Sequence, residues 1–259
     1  MKRRGLALLA ACAVIGVLVG CAAPRTTSKF AEDVNFLEKH VDPIVLEDES
    51  GQGRVVVVPR YQGRVMTSTS SGGTGMSYGW INRELIASGE RKAHMNAFGG
   101  EDRFWLGPEG GQYSLYFPPN APFDLTHWQV PAVIDWSSWP VISQSFDSAQ
   151  FQKVFELENY SGTTLNIAVT RTVRMLSPQD FTQIFGVEPG QGVETVSYES
   201  ENTVRNAGDE AWTKDAGLPS IWILGMYNAS PETTVVVPYK DGSADPAKVV
   251  NDEYFGKVP

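Results

Sequence analysis

Hydrophobic positions along the chain follow first a helical and then a strand-like spacing. Phe30, Val34, Leu37 and Val41 recur at helical intervals and predict a short amphipathic helix over 30–41, ending before Pro43. Beyond it the apolar runs shorten. Arg54 to Val58 reads RVVVV, a β-branched strand stopped by Pro59, and residues 63–69 predict its hairpin partner. Residues 70–75 (SSGGTG) predict a loop, whereas 78–87 suit a helix or irregular chain equally. The alternation in 112–117 (QYSLYF) predicts a strand ended by Pro118 and Pro119, and 152–159 predicts another, followed by the turn residues Asn159, Tyr160, Ser161 and Gly162.

The clearest strand is Thr164 to Met175. Leu165, Ile167, Val169, Val173 and Met175 share one face, and Arg171 interrupts it. A lone cation on an apolar face is costly to bury, so Arg171 must meet a carboxylate or a polar cleft. The expectation is that it joins Arg103 across one cleft. Ser177, Pro178 and Asp180 then open a short helix, as cap, first-turn proline and N-terminal acid, and Gly186 ends it. Further strands are predicted at 193–202, 220–226 and 233–237. Strands joined by turns, with few helices, predict an all-β sandwich.

The N-terminus changes the picture from a sandwich to an exported sandwich. Lys2, Arg3 and Arg4 precede an uncharged apolar or small run, Leu6 to Val19, which is shorter than the roughly 20 residues needed to span a bilayer. It ends in Leu18-Val19-Gly20-Cys21, a lipobox pattern. The expectation is a cleaved lipoprotein signal over 1–20, a lipid-modified Cys21 and a short tether over 21–29, ahead of a sandwich domain over 30–259. Cys12 leaves with the signal and lipid consumes Cys21, so the mature chain has no disulfide. Several acyl chains on one residue attach firmly to a membrane. Ala22 and Ala23 after the cysteine favour the outer membrane in a Gram-negative cell.

Removing residues 1–20 takes three basic and no acidic residues, moving the formal net charge from −9 to −12. An acidic surface repels phosphate backbones and argues against nucleic acid as a partner. All seven tryptophans lie in the mature part, five of them between residues 80 and 139. Such rings stack on sugar C–H surfaces, but equally fill cores.

Candidate chemistry concentrates in residues 94–117, HMNAFGGEDRFWLGPEGGQYSLYF. Glu101, Asp102, Arg103, Trp105 and Glu109 lie between two Gly-Gly pairs. The lysine and hydroxyl residue of a P-loop are missing, and three carboxylates would repel phosphate. His40, His94 and His127 lack the spacing of a helical zinc site, so the sequence calls for no metal and no cofactor. No G-x-S-x-G elbow is present. Two readings stay open. Arg103 and the carboxylates line a polar pocket with Trp105 as its stacking wall, or Arg103 pairs with a neighbouring acid and staples loops together.

The segments Gly79-Trp80-Ile81-Asn82, Ser88-Gly89-Glu90 and 94–117, with Arg171 to Arg174, resemble an uncharacterised family of exported bacterial proteins. Within the box, RFWLGPE also resembles the R-x-W-x-x-P-E stretch of proteins similar to aldose 1-epimerases. That resemblance implies a galactose mutarotase-like supersandwich, with a sugar on its concave face and Arg103 contacting sugar hydroxyls. Trp80, Asn82, Trp105 and Arg171 join Arg103 as candidate binding residues; His94, Glu101, Asp102 and Glu109 are the candidate acid/base groups. The epimerase pair is a histidine acid and a late glutamate base. Here His94 precedes the box, His127 follows it, and no glutamate sits in a recognisable late motif. Family members run longer, so further strands are expected beyond Pro259. The expected function is carbohydrate binding by a lipid-anchored envelope protein, with acid/base epimerisation of a sugar as its catalytic form. The rival is a non-catalytic glycan-binding or structural lipoprotein.

Overall fold

A computed structural model describes residues 28–238; the signal segment, Cys21 and residues 239–259 lie outside the described residues. The chain opens with α1 (Phe30–Glu38), then β1 (Ile44–Glu47), β2 (Arg54–Val58), a 3-10 turn (Pro59–Tyr61), β3 (Arg64–Thr69) and α2 (Arg83–Ser88). It continues through β4 (Arg103–Gly107), α3 (Ala132–Asp135), β5 (Val141–Gln144), β6 (Ser148–Glu158), β7 (Thr164–Met175), α4 (Pro178–Phe185), β8 (Tyr198–Asn206) and β9 (Ser220–Leu224). The nine described strands form three antiparallel sheets, ordered β1-β2-β3, β4-β9 and β5-β6-β7-β8.

The first sheet is buried on both faces, which explains its unbroken valines. Val55 and Val57 pack into a core with Phe104, Phe151, Ile167 and Val169. Val56 and Val58, on the opposite face, pack with Phe30 and Leu37 of α1 and Leu85 of α2. The architecture is therefore a β-sandwich with short helices over the outer face of the three-stranded sheet.

The strand predicted at 164–175 is β7, and its odd-numbered side chains are buried as expected. Arg171 is fully buried, and it has the carboxylate partner that its position demands. Its Nη2 is bonded to the Asp102 carboxylate, and Nη1 donates to Asn202 Oδ1 at 2.7 Å. Its Nε donates to the Gly63 carbonyl at 3.0 Å. Gly63 itself has φ of 63°, and a Cβ there would meet the Phe151 ring at 2.5 Å, so the turn between β2 and β3 requires glycine. Arg171 thus binds the four-stranded sheet to that turn and to the residue preceding β4.

Other expectations are corrected. Residues 112–117 form no strand: Ser114 N–H bonds Gly111, Leu115 N–H bonds Pro108, and the Ser114 hydroxyl caps the Glu109 carbonyl at 2.6 Å. Those local turns take the groups a ladder would need. β8 starts at Tyr198 rather than 193, and 233–237 forms no strand. Residues 78–87 divide, irregular to Ile81 and helical from Arg83, where Asn82 caps α2 by accepting from Leu85 N–H at 3.1 Å. The α4 cap is as expected, with Ser177 accepting from Asp180 N–H and Gly186 closing the helix. β1, β4 and β5 are strands the periodicity did not predict.

Removing Arg171 leaves Asp102 without its cation. Arg171→Leu is expected to destabilise the fold by about 3–5 kcal/mol, read from denaturant unfolding at neutral pH. A loss under about 1 kcal/mol would show that the pair does not hold the sheets together.

Candidate functional site: two clefts joined by one strand

The residues of the acidic box diverge as soon as they enter β4. Asp102 turns to Arg171 and also accepts from Ser200 Oγ at 2.8 Å. Arg103 turns the other way, to Asp135 at 2.9 Å, and both side chains are 3% exposed. The Arg103 guanidinium lies over the Trp105 ring, 4.2 Å from its centroid. Its Nε and Nη1 are buried without hydrogen-bond partners, and the electron-rich ring offsets part of that cost. Arg64, also buried, donates to the Gly99 carbonyl at 3.0 Å. Burial pulls its pKa well down, and the neighbouring Arg103 charge adds to that.

Trp105 belongs to a ladder of rings. It packs edge-on to Trp222, with centroids 6.3 Å apart, and stacks on Tyr116 at 5.4 Å. Tyr116 in turn stacks on Trp128 at 5.9 Å. The inner rungs, Trp105 and Tyr116, are buried. The outer rungs, Trp128 and Trp222, line an open cleft of about 800 Å³ with Phe117, Phe123, Ser220 and Glu109. Trp105 Nε1 donates to Glu109 Oε1 at 2.7 Å, which orients the carboxylate. His94 supports the wall from outside: its Nδ1 lies 2.8 Å from the Trp128 carbonyl and 2.9 Å from Gln129 Nε2.

A second cleft, of about 650 Å³, has Glu101 on its floor and Tyr78, Phe181, Tyr198 and Tyr227 among its walls. Glu101 is 3% exposed. Its Oε1 accepts from Ser68 N–H at 2.7 Å and Ser68 Oγ at 3.0 Å, and Oε2 accepts from Tyr198 Oη at 3.1 Å. Burial pushes its pKa up to about 7, against the lowering effect of those donors.

Compared with known protein families, residues 28–259 match a family of unknown function, DUF6786. The chain belongs to this family. Neither the curated proteins nor the solved structures give a match.

Within this DUF6786 chain, the candidate residues separate into three groups. Glu109 lines the first cleft, with His94 behind it, and Glu101 lines the second. Asp102, Arg103, Trp105 and Arg171 form buried framework. Trp105 is therefore the support of a stacking wall and not the wall. Arg103 and Arg171 do not meet across a cleft, because neighbouring residues of one strand take them to separate acids, Asp135 and Asp102. Trp80 is half-buried, with its backbone N–H bonded to the Met226 carbonyl, and Asn82 is a helix cap. Trp128 and Trp222 were visible only as members of a tryptophan-rich composition. Asp135, Tyr198 and Tyr227 carried no local signal, since each reaches its partners through the fold. Among the described residues no cluster of three or more His, Cys, Asp or Glu could hold a metal ion, and no helix is long and apolar enough to cross a membrane.

Glu101 makes the fold pH-sensitive. Its folded pKa, about 7, lies above the roughly 4.3 of an unfolded glutamate. The folded chain keeps a proton that the unfolded chain has released between those values. The contribution is thus complete below about 4.3 and is lost as pH rises through about 7. Glu101→Gln is expected to gain stability relative to the parent as pH rises from 5 to 8, in paired thermal melts. A gap between the two melts that stays constant with pH would refute the assignment.

Proposed function

We propose that the protein is a lipid-anchored envelope protein that binds carbohydrate in the cleft beside Glu109. The observation that carries this reading is the pairing of Trp128 and Trp222 with an oriented carboxylate. Aromatic faces bury the C–H side of a pyranose while a carboxylate accepts from its hydroxyls, and pockets of this kind join apolar walls to a few fixed polar groups. Arg103 acts from behind, as a positioning residue: Asp135 holds it, it holds Trp105, and Trp105 holds Glu109. The β-sandwich is compatible with the galactose mutarotase-like supersandwich implied by RFWLGPE, which we propose as its finer class.

Binding of D-galactose and D-glucose, followed by tryptophan fluorescence and calorimetry, tests the reading. Trp222→Ala or Trp128→Ala is expected to weaken sugar binding about tenfold or more, in a variant that still unfolds cooperatively. No binding by either sugar or by a glycan array would reject it. Epimerisation requires an acceptor for the anomeric proton and a donor to the ring oxygen. Glu109, the carboxylate that lines this cleft, is the proposed acceptor. Mutarotation of α-D-galactose that Glu109→Gln abolishes, with binding retained, would establish the epimerase. Binding without turnover would establish the glycan-binding lipoprotein.

The membrane attachment rests on the lipobox at Leu18 to Cys21. Labelled palmitate is expected to enter the protein in cells and to be absent from a Cys21→Ser variant. Equal labelling of the variant would remove Cys21 as the anchor.

A further inference from the structure

Buried acids in this protein come with arginines. Asp33 is paired with Arg83, Asp135 with Arg103, and the nearly buried Asp102 with Arg171. Glu101 differs: its hydrogen-bond partners are all neutral, a backbone N–H and two hydroxyls, and it faces a cleft rather than a guanidinium. A carboxylate in that position bears the desolvation cost of burial without the offset of a cation. Among the described residues the cleft wall supplies none, because no lysine, arginine or histidine of theirs lines it, whereas Glu194 and Glu232 stand with Glu101 among its lining residues. An anion is excluded on that ground. A neutral polyol would find hydroxyls there but would leave the charge of Glu101 uncompensated.

Four rings, Tyr78, Phe181, Tyr198 and Tyr227, come to the walls of the cleft from separate segments of the chain, among smaller apolar and hydroxyl residues such as Val196 and Thr234. Tyr78 is fixed by a 2.6 Å hydrogen bond with Ser70, and Tyr198 by its bond to Glu101. Electron-rich rings around a buried carboxylate are the surroundings in which an organic cation is stabilised, by ring quadrupoles at its methyl or methylene groups and by the opposite charge beneath. We infer that the Glu101 cleft is a second ligand site, selective for a small organic ammonium compound. It is separate from the sugar cleft, since the lining residues of the two have no member in common. Ionisation of Glu101 near neutral pH makes such binding strengthen as pH rises through about 7.

The test is calorimetric titration of the full chain with choline and with 3,3-dimethyl-1-butanol, its neutral isostere of the same shape. Choline is expected to bind and the isostere to bind at least about tenfold more weakly, the size of one well-desolvated cation–π and charge contact. Glu101→Gln, which keeps the shape of the floor, is expected to remove that preference, and Tyr227→Ala to weaken choline binding. Trp222→Ala is expected to leave choline binding unchanged while it reduces sugar binding, which separates this site from the carbohydrate reading. Equal affinity for choline and its isostere, an unchanged preference in a folded Glu101→Gln variant, or no choline binding at millimolar concentration would each overturn the inference.

Discussion

The contact on which the rest of the structure depends is the buried pair of Arg171 and Asp102. Arg171 stands in the middle of the longest strand, where every alternate neighbour is apolar. Its other donors reach the Gly63 carbonyl, Asn202 and the Asp102 carbonyl. Through them the four-stranded sheet, the turn between β2 and β3 and the entry to β4 are fixed in one geometry. An apolar residue at 171 could fill the volume, but it would not specify which backbone carbonyl and which carboxylate must lie above it. Buried polar groups of this kind define a unique packing more than they add stability.

From that anchor the functional surface is laid out along β4 and its flanks. Glu101, just before the strand, forms the floor of one cleft, and Glu109, just after it, the side of the other. The intervening residues belong to the core. The ring ladder from Trp128 to Trp222 shows how buried residues shape an exposed site: the two inner rings set the angle of the two outer ones, and the indole of Trp105 aims a carboxylate it never shares with a ligand. Acids and aromatics that sit within nine residues of one another in sequence thus act in different places.

The sequence made the fold class legible because its signals were local. Alternation in β7, the β-branched run of β2, and the cap and stop of α4 each depend on a handful of neighbours, and each lies where expected. The demand for a partner to Arg171 was legible too, since it followed from the cost of burying a charge. The partner was not, because Asp102 reaches it across 69 positions of chain. β4 was missed for a related reason. Its five residues are all buried, so it shows no alternation, and its partner β9 lies far along the chain. In the opposite direction, QYSLYF alternates without being a strand, because Ser114 and two neighbouring amides satisfy the backbone locally. Composition indicated abundant tryptophan but not which two rings would face outward.

The divergence of Asp102 and Arg103 also bears on how this segment can vary over time. Side chains along a strand point alternately to its two sides, so a one-residue shift of the entry to β4, from an insertion or deletion just before Asp102, would exchange the sides. The guanidinium of Arg103 would then be brought to Arg171, and the carboxylate of Asp102 to Asp135, setting like charges against each other in two buried places at once. The register of this segment is thereby tied to charges in the interior, independently of whatever occupies the clefts on either side.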